Sequence, residues 1–240
     1  MKRWRSLKSL NETIIRCRLC PRLVRHREWV AANRPRRYSN ERYWAKPLPG
    51  FGDAKARLLI LGLAPAAHGG NRTGRMFTGD SAGNTLMRAL YEAGFANKPL
   101  SERRDDGLEL RDAYITATIR CPPPDNKPTQ EEMRRCEPYL IAELTLLERV
   151  KVVVALGRIA FETYLRILRE YGDGVRYAGK PVFAHGACYA FGGHLFGKPT
   201  PSLIASYHPS RQNTQTGRLT PQMLSQVFIK ARELITRSPS

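Results

Sequence analysis

The chain has no run approaching the roughly 18 uncharged apolar residues that a membrane-spanning helix needs. Met1-Lys2-Arg3-Trp4-Arg5 is not followed by the apolar stretch of a secretory signal either. A membrane partner is therefore not expected, and the expected location is the cytoplasm. Internal repeats and low-complexity linkers are absent, which argues against a solenoid or a tethered array. The glycines never take the Gly-Lys-Ser/Thr ending of a phosphate loop or the spacing of a dinucleotide fingerprint, so neither nucleoside triphosphate nor nicotinamide binding is supported. Acidic residues are scarce: 21 Asp and Glu stand against 40 Lys and Arg, for a net charge of +19.

An excess of that size points to a polyanionic partner. Residues 1 to 46 hold 14 Lys and Arg against Glu12, Glu28 and Glu41, a net +11, with Trp4, Trp29, Tyr38, Tyr43 and Trp44 threaded among them. That mixture suits phosphate contact plus base stacking, although a generic basic surface has the same composition. With 42% hydrophobic and 25% charged residues, the 240-residue chain reads as one globular domain, 1–240, with a basic N-terminal segment.

Short apolar runs alternate with amphipathic stretches, which marks an α/β fold. Strands are predicted at Leu58 to Leu63, Ala113 to Ile119, Val152 to Leu156 and Leu203 to Ser206. Helices are predicted at Ser81 to Ala93 with Asp80 as cap, Thr129 to Arg149 with a Thr129/Glu132 capping box, Gly157 to Tyr171 and Pro221 to Arg237. The expectation is a four-stranded, mostly parallel sheet between helices, with ligands beyond the carboxyl ends of its strands. Residues 172 to 200 are glycine-rich and read as a hairpin or irregular excursion.

Only five cysteines are present, yet four are spaced suggestively. Cys17 and Cys20 form a C-x2-C pair, and Cys121 and Cys136 flank a loop and the first turns of a helix; Cys188 is left over. Four thiols complete a metal set, either zinc or an iron–sulfur cluster, and the stretched second pair fits a cluster more readily than a zinc ribbon. Disulfides and unrelated core thiols are the alternatives.

Three loops follow strand ends. Gly62 to Asp80 is a small-residue and glycine loop, Cys121-Pro122-Pro123-Pro124-Asp125-Asn126-Lys127-Pro128 is stiff, and Tyr207-His208-Pro209-Ser210-Arg211-Gln212-Asn213 puts a histidine on the same rim. A histidine there is suited to donate to a developing negative charge.

Together with Pro49-Gly50-Phe51-Gly52-Asp53, these segments resemble, in order and over nearly the whole chain, the family 5 branch of the uracil-DNA glycosylases. The resemblance implies the four-stranded parallel fold, a structural 4Fe-4S cluster on Cys17, Cys20, Cys121 and Cys136, and uracil-containing double- or single-stranded DNA as substrate. It further implies that His208 holds the departing uracil anion beside the Gly62 and Ala64 loop, that Phe77 stacks on the flipped base, and that Pro209, Ser210 and Arg211 meet the DNA. Arg211 or Gln212 would fill the gap that the base leaves.

Asn213 is expected to order the pocket. Most superfamily relatives carry Asp or Asn where this chain has Ala64, so Asn71, Asp80 and Asn126 are the candidates for handling the water. A pocket without that side chain suggests hypoxanthine and xanthine as further substrates. No Schiff-base lysine stands out, a monomer is expected, and a sliding clamp is the partner class common to repair enzymes. The competing reading is a noncatalytic nucleic-acid-binding protein with a structural metal.

Overall fold

A computed structural model describes residues 4–237. Met1, Lys2 and Arg3, part of the predicted basic segment, lie outside them. In chain order the elements are α1 (Leu7–Ile15), α2 (Pro21–Ala32), β1 (Phe51–Gly52), β2 (Leu58–Gly62), α3 (Gly70–Thr73), α4 (Ser81–Glu92) and β3 (Ala113–Ala117). There follow α5 (Gln130–Leu146), β4 (Val152–Leu156), α6 (Arg158–Tyr171), β5 (Gly172–Arg176), β6 (Cys188–Tyr189), β7 (Gly192–Leu195), β8 (Lys198–Pro199), β9 (Ser202–Ser206), α7 (Arg211–Gln215) and α8 (Pro221–Arg237).

The four predicted strands form the parallel core of a sheet ordered β1-β3-β2-β4-β9-β6. Two-residue antiparallel strands extend it at either edge, one more at each side than the sequence announced. Every residue of β2, β3 and β4 is buried, as continuous apolar strands covered on both faces should be. Alternate side chains feed two cores. Leu58, Ile60, Ile115 and Val154 pack with Leu86 and Leu90 of α4 and Leu224 and Phe228 of α8. Leu59, Leu61, Val153 and Leu203 pack with Leu140 and Leu144 of α5 and Phe161 and Tyr164 of α6.

The helix starts follow from their caps. Asp80 takes the Gly83 amide at 2.8 Å, and Thr129 and Glu132 close the predicted reciprocal box on α5. The glycine-rich excursion forms a three-stranded antiparallel sheet, β5-β7-β8, while β6, between β5 and β7 in the chain, pairs with β9 of the main sheet.

The basic segment is not a loose arm. It folds into α1 and α2, whose Leu10, Ile14 and Leu23 join Ile119, Cys121, Cys136 and Tyr139 in a third core. Arg22 grips Glu132 at 2.7 Å and Arg135 reaches the Leu19 carbonyl at 2.7 Å, binding the segment to α5. Strand β2 lies between β3 and β4, so the chain's crossovers diverge there, the place where α/β sheets take ligands beyond the carboxyl ends of their strands.

Candidate active site and thiol pocket

Gly62 ends β2, Gly157 follows β4, and His208 stands two residues beyond β9. Strands β4 and β9 run level, with Leu156 opposite Ser206 and the Gly157 amide on the Ser206 carbonyl at 2.8 Å. Gly157 has φ +99°, and a Cβ there would lie 3.7 Å from that of His208, so the helix α6 entry passes beside the root of the His208 side chain. The Phe77 ring covers Gly62, where an added Cβ would come within 3.3 Å of it. Phe77 and His208 then face each other with centroids 5.8 Å apart and planes inclined by 32°. Phe77 has φ +49°, a left-handed conformation unusual for an aromatic residue.

Burial pushes the His208 pKa down to about 4. The imidazole is therefore neutral at physiological pH, with one N–H to donate and no charge to neutralise a substrate in advance. Its backbone is clamped: Asn213 Nδ2 donates to the His208 carbonyl at 2.8 Å, and Ser210 caps α7 by accepting the Asn213 amide at 3.3 Å.

The predicted site residues divide accordingly. His208, Phe77 and Gly62 come together. Asn213 orders the site by holding the His208 backbone carbonyl. Asp80 caps α4 with Oδ1, while its Oδ2 lies where any side chain at Gly69 would have to go, 2.0 Å from that Cβ position. Burial raises the Asp80 pKa, against the Gly83 amide and Arg72. Asn71 is fully buried and gives its amide to the Arg27 carbonyl at 3.2 Å, away from the rim, leaving Oδ1 without a partner. Asn126 is exposed on a turn, with φ +55°. The Ala64 methyl packs toward the third core beside the cysteines. Pro209 is buried and Ser210 is occupied as a cap, so Arg211 and Gln212 are the exposed members of that loop.

The four spaced cysteines also converge. All are free thiols, and together they line one small cavity with Arg27, Arg120, Arg135 and Tyr139. Arg27 Nη1 donates to Cys121 Sγ at 3.0 Å. Burial raises the Cys121 pKa to about 11 and pushes Cys136 up as well. Arg27 Nε and Arg120 Nε and Nη1 are buried without a hydrogen-bond partner at this cavity. Among the described residues, no three or more His, Cys, Asp or Glu side chains close in tightly enough to hold a single metal ion.

A model of the Uracil DNA glycosylase superfamily matches residues 49–232. The chain is 52% identical over 223 residues to a type-5 uracil-DNA glycosylase of Thermus thermophilus, covering 93% of this chain and 95% of that protein. It is 47% identical over 230 residues to the Mycobacterium leprae type-5 enzyme, covering 95% and 96%. A type-5 enzyme of Pyrobaculum aerophilum is 45% identical over 218 residues, covering 91% and 88%. The chain belongs to the type-5 branch of the uracil-DNA glycosylase superfamily.

In this type-5 chain most of the aromatics of the basic segment serve packing rather than standing free for bases. Tyr43 is buried and bonded to His68 Nδ1 at 3.0 Å, Tyr38 lies under Arg72 at 4.2 Å, and Arg104 covers Trp44 at 4.6 Å. Trp4 bonds Thr13 at 3.1 Å, and only Trp29, 61% accessible, stays open to solvent. Aromatic residues beside basic ones have two uses, and sequence does not separate a ring that stacks on a base from one that stacks on an arginine. Two histidines escaped the sequence reading: His68 in the first loop and His185 in the excursion, neither marked by any spacing or periodicity.

Proposed function

We propose that this chain is a monofunctional, hydrolytic uracil-DNA glycosylase that flips uracil out of DNA, breaks its N-glycosidic bond and leaves an abasic site. The observation that carries the reading is the neutral His208 imidazole held opposite Phe77 over Gly62, at the point where the crossovers of a parallel sheet diverge. Flipping costs a few kcal/mol, least for a mispaired base. As the bond to C1′ breaks, the electron pair moves into the uracil ring and onto its carbonyl oxygen. A donor aimed at that oxygen strengthens as the charge grows, which lowers the barrier selectively. A neutral imidazole suits this, because it gives a proton's hydrogen bond without having to lose a cation's hydration.

Water completes the reaction by adding its oxygen to C1′ and losing a proton. Of the three residues considered for it, Asp80 has the best claim: Asn71 is engaged with Arg27, and Asn126 stands out in solvent. The noncatalytic reading is not favoured, since it gives no use to a desolvated histidine facing an aromatic ring. Hypoxanthine and xanthine remain part of the proposal as wider substrates, and cleavage of inosine-containing DNA under conditions that cleave uracil is the outcome it requires.

Cys17, Cys20, Cys121 and Cys136 fit a structural 4Fe-4S cluster: four thiols surround one cavity, and unpartnered N–H groups of Arg27 and Arg120 stand ready for anionic sulfur. The cluster would supply iron–thiolate bonds tying α1, α2 and α5 together, and no part of the reaction. The same reading has the protein acting as a monomer, with a sliding clamp as a partner class. The test is incubation with a uracil-containing duplex followed by alkali. Free uracil and alkali-dependent breaks at the uracil position are expected; tight binding with the base intact would favour a binding module.

A further inference from the structure

The glycine-rich excursion between α6 and β9 delivers a second histidine to the catalytic loop. Strand β6 runs antiparallel to β9, with Cys188 opposite Ile204 and Tyr189 opposite Leu203. The ladder continues as Gly186 N donates to the Ala205 carbonyl at 2.8 Å and Ala205 N to the Ala187 carbonyl at 2.8 Å. This register sets His185 beside the last residue of β9 and the turn that follows. There its Nδ1 accepts the Tyr207 backbone N–H at 3.2 Å, and its ring stacks on the Tyr207 ring, centroids 5.1 Å apart and planes 26° apart. Arg218 covers Tyr207 with its guanidinium carbon 4.6 Å from the ring centre.

We propose that His185 is a positioning residue for His208, acting through the Tyr207 amide; the inference rests on His208 being the donor to the departing base. His185 fixes the peptide that enters Tyr207, Ser206 Oγ donates to the Tyr207 carbonyl of the next peptide at 2.9 Å, and the His208 carbonyl beyond it is fixed by Asn213 at 2.8 Å. Held on both sides, the His208 backbone has little freedom to shift, which fixes the point from which the imidazole reaches Phe77. An acceptor at Nδ1 requires the proton on Nε2, so one tautomer is specified, and burial favours the neutral ring by lowering its pKa. A donor misplaced by about 1 Å is enough to cost as much as a hundredfold in rate, which is why a clamp of this kind matters.

The test compares two substitutions in single-turnover assays on a uracil-containing duplex, with wild type alongside. His185→Asn can place an amide oxygen near the Nδ1 position and is expected to stay within about threefold of wild type. His185→Phe keeps a ring over Tyr207 but offers no acceptor, and its turnover is expected to fall about tenfold to a hundredfold with affinity for an abasic-analogue duplex unchanged. Equal rates for the two variants, or a parallel loss of affinity, would overturn the proposal. Wild type that releases no uracil would instead strike the functional reading. Independently of activity or variant folding, the 15N spectrum of the wild-type histidines is expected to show His185 with Nδ1 bare and Nε2 protonated; a protonated Nδ1 at neutral pH would overturn the proposal.

Discussion

His208 faces Phe77 across 5.8 Å, with the two rings inclined by 32° and the Phe77 ring lying on Gly62. One residue comes from the loop after β2 and the other from the loop after β9, so neither could form the site without the sheet that levels their strand ends. Removing the imidazole should separate its chemistry from its packing. His208→Ala is expected to raise the barrier by about 2–4 kcal/mol while DNA binding changes little. Single-turnover rates and titration of an uncleavable duplex check this; equal losses in both would reduce His208 to a packing role.

The same residue makes a prediction about acid. Its pKa is about 4 in the folded chain against an ordinary 6.5, so between those values the unfolded chain binds more protons than the folded one. The neutral state's contribution to stability is therefore complete above about pH 6.5 and is lost progressively as pH falls toward 4. His208→Gln should flatten that part of the stability–pH curve, measured by denaturant unfolding at a series of pH values. An unchanged slope would mean that His208 is not desolvated as described.

Phe77 should matter for the base and Gly62 for Phe77. Loss of a stacking ring in Phe77→Ala is expected to cost about 1–3 kcal/mol, read as a loss in kcat/KM on uracil-containing single strands. Gly62→Val should reproduce part of that defect without touching the ring itself, because a Cβ at Gly62 already meets Phe77 at 3.3 Å. A fully active Gly62→Val enzyme would contradict this placement of the ring.

Asp80 has two separable duties. Asn caps helices about as well as Asp, so Asp80→Asn should preserve stability, whereas Asp80→Ala should lose about 1 kcal/mol. If the carboxylate also handles the water, both variants lose turnover alike. Activity that follows stability instead, with Asp80→Asn close to wild type, would confine Asp80 to the cap.

The thiol pocket predicts a brown protein with about four irons per chain, by the four-cysteine ligation of such clusters. Removing the iron anaerobically with a chelator should release α1 and α2, seen as a lower melting temperature and faster proteolysis between residues 1 and 46. Colourless protein with one zinc per four thiols would overturn the cluster and keep the structural role.

The parallel sheet was legible because fully buried strands must be runs such as Leu58-Leu59-Ile60-Leu61, and α5 because Thr129 and Glu132 announce a cap. The rim loops were legible from their position after those strands. What could not be read was how side chains are spent once the loops close. Asn213 looks like a pocket residue and instead holds a backbone carbonyl; Ser210 looks exposed and instead caps a short helix. Tyr43 and Trp44 look free for stacking until His68 is seen against the first and Gly74 and Arg104 against the second. The Tyr43 and Trp44 contacts join segments distant in the chain and leave no local pattern, whereas the Ser210 and Asn213 bonds are local and compete with a reading that placed the whole loop against DNA.

The central claim, that His208 stabilises a departing anion, is tested most directly by changing how much help the leaving group needs. 5-Fluorouracil departs as a more stable anion than uracil, so its excision depends less on a donor. Single-turnover rates on both bases, for wild type and His208→Ala, give the comparison. The substitution is expected to slow uracil release far more than 5-fluorouracil release; an equal slowing on both would contradict the account.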